Sequence, residues 1–198
     1  EIFNGNEALI KKYAEKLSIS FERVEYAKNN FIRVVKVMKA FILNDSVKSF
    51  LCLNNKLPQE NKGLFDIKLL EEFADAIIKL YGIKGLKGKD LLYSINSEDY
   101  DAKRAEFIQR LSKGEKLFVI SSYNTVGAGQ NLQYKAPGNA TIVAVNDYDR
   151  GDMEKDFDCI YLEKPTNLLV NVDSKKGIEA EDLIRFVYQM EFLMERGE

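Results

Sequence analysis

Between positions 6 and 44 the apolar residues recur at intervals of three and four, the spacing of helices with one buried face. Ile10, Tyr13, Ala14 and Leu17 share one stripe, and Phe31, Val34, Val35, Met38 and Phe41 share another. Ser18-Ile19-Ser20 predicts a break between two helices, with Ser20 as the second N-cap and Arg23 facing water. The aromatics on these stripes read as core, not as a cofactor box. Beyond position 46 the period changes. A short apolar run at 47–53, closed by Asn54-Asn55, predicts a first strand, and 56–65 with Pro58 and Gly63 reads as a loop. Asp66 caps an amphipathic helix over 67–81, whose inner stripe is Leu69, Leu70, Phe73, Ala74, Ile77 and Leu80. Gly82 closes that helix, and Gly85 and Gly88 interrupt the chain again.

A second strand is expected at 91–95. Ser97 then caps a helix over 97–112, and Glu98, Asp99 and Asp101 in its first turn complement the helix dipole. Gly114 ends it before the third strand, Leu117-Phe118-Val119-Ile120. Further strands are expected at 141–145 and 159–162. A closing helix over 182–196 would turn Leu183, Phe186, Val187, Met190 and Leu193 inward. Strands alternating with helices predict a three-layer α/β/α fold with a mostly parallel sheet and right-handed crossovers. The expected organisation is a helical extension, 1–45, followed by an α/β domain, 46–198.

Composition narrows the chemistry. With 198 residues, 45% hydrophobic and 30% charged, the chain can bury a sizeable core. A formal net charge of −2 argues against binding nucleic acid through bulk positive charge and leaves a local basic strip open. No apolar run approaches the roughly 18–20 residues of a membrane span, and no signal-peptide pattern opens the chain, so no membrane partner is expected. The absence of histidine removes Ser-His-Asp and Cys-His nucleophiles and most zinc sites. Cys52 and Cys159 both fall in expected strands and read as reduced core thiols, which points to the cytoplasm. A start at Glu1 without methionine, and an end on a charged helix-like run, suggest an excised piece of a longer protein.

The most informative stretch follows the third strand. Ser121-Ser122-Tyr123-Asn124-Thr125 leads into Gly127-Ala128-Gly129 and then a segment that can begin a helix. In open α/β sheets, ligands sit at this junction, between strand ends and the free amides of a helix N-terminus. Gly127 and Gly129 let backbone approach a ligand closely, so an anion is the expected guest. The dinucleotide fingerprint fails, because Leu132 stands where its third glycine belongs. A P-loop also fails, since no Gly-Lys-Ser/Thr follows anywhere in the chain.

The run Ser122-Tyr123-Asn124-Thr125-Val126-Gly127-Ala128-Gly129-Gln130-Asn131-Leu132-Gln133 resembles motif V of superfamily 2 helicases, closest to the Swi/Snf-type translocases. The segment 47–54 resembles the strand that opens their second RecA-like domain. The strand at 91–95, with its charged helix and Lys113-Gly114-Glu115, resembles the part preceding motif V. Asp158-Cys159-Ile160-Tyr161-Leu162 and Pro165-Thr166-Asn167 resemble the Asp-x-Ile-Ile strand and its following loop. The resemblance spans about 47–171. It implies a RecA-like fold without its own P-loop, and a motif V at the seam between two motor domains.

On that resemblance, Ser122, Gly129 and Asn131 match the motif directly, with Gly127 beside them. Backbone amides, with hydroxyls of Ser121, Ser122 or Thr125, would hold a phosphate of one DNA or RNA strand without reading its sequence; Gln133 would reach the same groove, and Gln130 lies in the same seam-lining motif. Departures matter. Tyr123 stands where a threonine is usual, and could stack on a base. Val126 occupies the first glycine position. Motif VI, which supplies the arginine finger, is not visible; Arg150 and Arg185 are the late arginines that could substitute, apart from Arg196 at the end. The resemblance therefore implies the second motor domain of an ATP-dependent helicase or translocase. ATP and Mg would be bound only with a missing N-terminal RecA-like domain, and this piece alone would bind neither cofactor and turn over little ATP.

Two other readings stay open: a free-standing α/β enzyme or module for a small phosphorylated ligand, and a degenerate helicase-like scaffold. A third alternative is a tight strand-to-helix turn whose glycines serve packing alone. The acids at 146–152 lack calcium-loop spacing and read as a solvated loop, with no metal site expected. Lys84, Lys87 and Lys89 form a small basic patch, read chiefly as a solvated loop and secondarily as a phosphate contact.

Overall fold

A computed structural model describes residues 1–21, 24–54, 57, 65–123, 125–126, 132–138 and 154–163. Two helices open the chain, α1 (Glu7–Ser20) and α2 (Glu25–Leu43). Asn6 caps α1 by accepting a hydrogen bond from the Leu9 N–H at 3.1 Å. The break lies just past the expected Ser18-Ile19-Ser20, which stay helical, and its chemistry differs. Phe21 ends α1, and α2 starts after Val24 with no side-chain cap, so Ser20 remains the last helical residue of α1. Apolar packing sets this start in place of a cap: Phe21 and Phe31 meet with ring centroids 5.4 Å apart.

Strand β1 (Ser49–Asn54) leads to α3 (Ile67–Leu80), capped by Asp66, whose carboxylate accepts from the Lys68 N–H at 2.9 Å. A short α4 (Gly88–Leu91) runs directly into β2 (Leu92–Ser94), and α5 (Tyr100–Ser112) leads to β3 (Leu117–Ser122). Helix α5 begins three residues later than its serine suggests. Asn96 and Asp99 hold the preceding turn, the Asn96 side chain accepting from the Glu98 and Asp99 N–H groups. Two-residue strands β4 (Tyr134–Lys135) and β5 (Glu154–Lys155) form a small antiparallel ribbon, and β6 (Cys159–Leu162) completes the main sheet. The expected strand at 141–145 and helix at 182–196 lie outside the described residues.

The main sheet has the order β2-β3-β1-β6, and every pairing in it is parallel. From β1 the chain travels through α3 to the outer strand β2, then returns through α5 to β3. Opposite directions of travel with one crossover hand place the two helices on opposite faces, and that is where they lie. On one face Phe50, Cys52, Phe118 and Ile120 pack with Phe31, Val34 and Phe41 of α2 and with Leu70, Phe73 and Ile77 of α3. On the other, Leu51, Leu117 and Val119 pack with Phe107 and Leu111 of α5 and with Tyr134. The fold is α/β, with helical layers on both sides of a parallel sheet. Among the described residues no helix is long and apolar enough to cross a membrane, and no group of His, Cys, Asp and Glu is placed to hold a metal ion. Both cysteines are free thiols; burial pushes the Cys52 thiol far up from its ordinary pKa, so it stays protonated.

Candidate site at the carboxyl edge of the sheet

Strand alternation builds the site. Side chains at Cys52, Ile120 and Tyr161 face α2, and two residues further along each strand the same face presents Asn54, Ser122 and Glu163. Asn54 lies opposite Ser122 in the β1–β3 register, and the Glu163 N–H donates to the Leu53 carbonyl at 3.0 Å. Three neighbouring parallel strands thus turn from apolar to polar at their carboxyl ends, on the face covered by α2. This edge is where ligands sit in open α/β sheets.

Helix α2 supplies the second row. Asn30 and Asn54 exchange side-chain hydrogen bonds, each at 3.2 Å, and both are buried. One turn on, Arg33 Nε donates to Glu163 Oε2 at 3.2 Å and its Nη2 donates to Oε1. Glu163 is 1% exposed, whereas the Arg33 side chain is 44% exposed. The Tyr161 hydroxyl donates to Glu163 Oε2 at 2.7 Å, and the Tyr123 hydroxyl donates to the Glu163 backbone carbonyl at 2.6 Å. The hydrogen bonds to Glu163 hold the Arg33 guanidinium above its ordinary pKa. Burial, then the hydrogen bond to Glu163, pushes the Tyr161 hydroxyl up to about 12. Burial, followed by the same carboxylate, also raises Tyr123. A buried charge with this many partners is held in one geometry.

The loop after β3 begins with a tight turn. Ser122 Oγ accepts from the Thr125 N–H at 3.2 Å and lies 2.9 Å from Thr125 Oγ1, while the Thr125 and Val126 N–H groups reach the Ser122 carbonyl at 3.1 and 3.0 Å. Serine forms such turns because its short hydroxyl competes for local backbone groups. Ser121 points the other way: it is fully buried and donates to the Ile95 carbonyl at 3.2 Å, so its hydroxyl serves the sheet and not the loop surface. Tyr123 is half-buried, with its hydroxyl engaged on Glu163. Val126 and Leu132 pack on the α5-side core, and Gln133 is half-buried before β4. Asn124, Gly127, Gly129, Gln130, Asn131, Arg150 and Arg185, with the acids at 146–152, lie outside the described residues.

Two sequence candidates fall at the opposite end of the sheet. Lys84, Lys87 and Lys89 precede β2, at its amino end, away from the loop after β3. Gly88 between them packs on α3: its N–H donates to Asp75 Oδ1 at 2.7 Å, and a Cβ there would stand 2.4 Å from the Glu71 carbonyl oxygen. Asp158 staples the amino ends of β1 and β6. Its Oδ2 accepts from the Lys48 and Ser49 N–H groups at 2.8 and 2.9 Å, and Oδ1 pairs with Lys155. Burial pushes its carboxyl up, but the Lys155 and backbone hydrogen bonds outweigh that and hold it below its ordinary value.

Asn30, Arg33, Asn54, Tyr161 and Glu163 are absent from the sequence reading of the site. Asn30 and Arg33 belong to a segment read as an extension, on a helix judged by its apolar stripe. A signal was present nonetheless: expected strands at 47–53 and 159–162 each run directly into a polar residue, as the strand before Ser122 does. No protein-family model and no curated protein sequence matches this chain.

Proposed function

We propose that this chain is the second motor domain of an ATP-dependent superfamily 2 helicase or translocase, and that its carboxyl sheet edge grips one strand of DNA or RNA by its phosphates. The observation that carries the reading is the position of the motif-V-like stretch. It leaves the carboxyl end of a central strand in a parallel sheet, through a turn built on the paired, half-buried hydroxyls of Ser122 and Thr125. Neutral donors fixed by a turn suit phosphate, since they hold it without sequence preference. ATP and Mg belong to the seam with an N-terminal RecA-like domain, which would bring the Walker residues.

Binding of a labelled single-stranded oligonucleotide tests this. The expected result is weak, salt-sensitive binding that Gly129→Glu or Asn131→Ala abolishes while thermal melting stays unchanged, together with negligible ATP turnover. Tight binding of a mononucleotide without oligonucleotide binding would instead favour the small-phosphate module. Neither, in a folded protein, would leave a scaffold.

A further inference from the structure

The sequence offers no motif for a cation at this edge, yet the fold brings one there from an unexpected element. We propose that Arg33 of α2 is the cationic phosphate contact of the carboxyl edge, positioned by the buried carboxylate of Glu163. This rests on the reading that the edge binds phosphate.

The geometry supplies the argument. Arg33 reaches Glu163 through Nε and Nη2. A guanidinium carries five N–H donors; the Glu163 carboxylate takes two, the Tyr161 hydroxyl engages another, and two remain for a guest. The side chain is 44% exposed while its partner is 1% exposed, so the fork is anchored from behind and open in front. Glu163 cannot swing away with the arginine, because Tyr161 holds its carboxylate and Tyr123 and the Leu53 carbonyl hold its backbone. Tyr123 is also the first residue after β3, so the loop that would meet phosphate and the residue that orients Arg33 share one hydrogen bond. The pair as a whole is neutral, but a phosphate in front meets the guanidinium first, and Coulomb attraction to the nearer charge prevails over repulsion from the farther one. Planar, bidentate phosphate recognition is the chemistry for which arginine differs from lysine. In a chain of net charge −2, one such fixed cation would count for more than its share.

The phosphate could belong to a nucleic-acid backbone or to a free nucleotide, and the test separates them. The 198-residue chain is titrated with labelled oligothymidylate and, separately, with ADP, across a salt series. The double variant Arg33→Gln/Glu163→Gln leaves net charge unchanged, removes the buried carboxylate together with its partner, and is checked by thermal melting. Loss of affinity on the order of tenfold, with the slope of log K against log salt reduced by about 0.7, is expected on oligothymidylate if the strand is the source. A comparable loss confined to ADP supports the contact and assigns it to a nucleotide. Arg33→Lys keeps a cation against Glu163, and hence the fold; it should retain the salt slope yet bind several-fold more weakly, because lysine cannot serve carboxylate and phosphate with one planar fork. Wild-type binding left unchanged by Arg33→Lys and by the double variant would make the pair a structural tie and overturn the proposal alone. A wild-type chain that binds neither probe would overturn the phosphate reading of the edge, and this contact with it.

Discussion

Glu163 concentrates the physical tension of this molecule in one side chain. A carboxylate taken out of water is costly unless its oxygens are filled, and here Arg33 and Tyr161 fill them. Replacing Glu163 with alanine removes the anchor of Arg33 and the acceptor of Tyr161. We expect a loss of about 2–4 kcal/mol in chemical denaturation. Tyr123→Phe removes only the bond to the Glu163 carbonyl and should cost about 1 kcal/mol. Tyr161 gives a pH signature. Its folded pKa lies near 12, above the ordinary tyrosine value, through burial first and the Glu163 hydrogen bond second. A raised value means that the neutral hydroxyl is favoured in the fold, so this stability is complete below about pH 10 and is lost as pH rises towards about 12. Tyr161→Phe should flatten that alkaline limb of a stability-versus-pH profile; an unchanged limb would show that Tyr161 does not produce it. The burial of Glu163 and its choice of partners cannot be read from the sequence, because a glutamate after a strand looks the same whether solvated or buried.

At the scale of elements, the long periodic segments were legible and the short devices were not. Helix α3, with its Asp66 cap and inner stripe, matches its reading within one residue, since a strong amphipathic pattern and a capping side chain agree. The strand runs at β1, β3 and β6 were also readable, being apolar and bounded by polar residues. Strands β4 and β5 were missed because two residues carry no period, and α4 because its glycine looked like a breaker. Gly88 sits there for proximity. Alanine at 88 would drive its methyl into the Glu71 carbonyl, so α3 and α4 must separate; we expect about 1–3 kcal/mol of destabilisation and a lowered melting temperature. Asp158 also acts at the amino edge of the sheet, and in the acid range. Its carboxyl is held below the ordinary value, so its contribution is present above about pH 4 and is lost as pH falls. Asp158→Asn should lower stability at neutral pH and reduce its further decline in acid.

For the whole molecule, the parallel sheet has two unlike edges. The amino edge is knitted shut by Asp158, Ser49 and Tyr134, with Ser49 Oγ 2.9 Å from the Tyr134 hydroxyl. The carboxyl edge carries a polar row, a serine turn and a half-exposed arginine. The sequence pointed to this edge through the stretch after β3, but could not show that α2 completes it, because contacts between residues more than a hundred positions apart leave no local pattern. The most direct measurement is hydrogen–deuterium exchange of the chain with and without a single-stranded oligonucleotide. Binding at the carboxyl edge predicts added protection over 122–134 and around Tyr161 to Glu163, with 84–91 unchanged. Protection centred on the lysines before β2, or none anywhere under conditions where the oligonucleotide is bound, would contradict it.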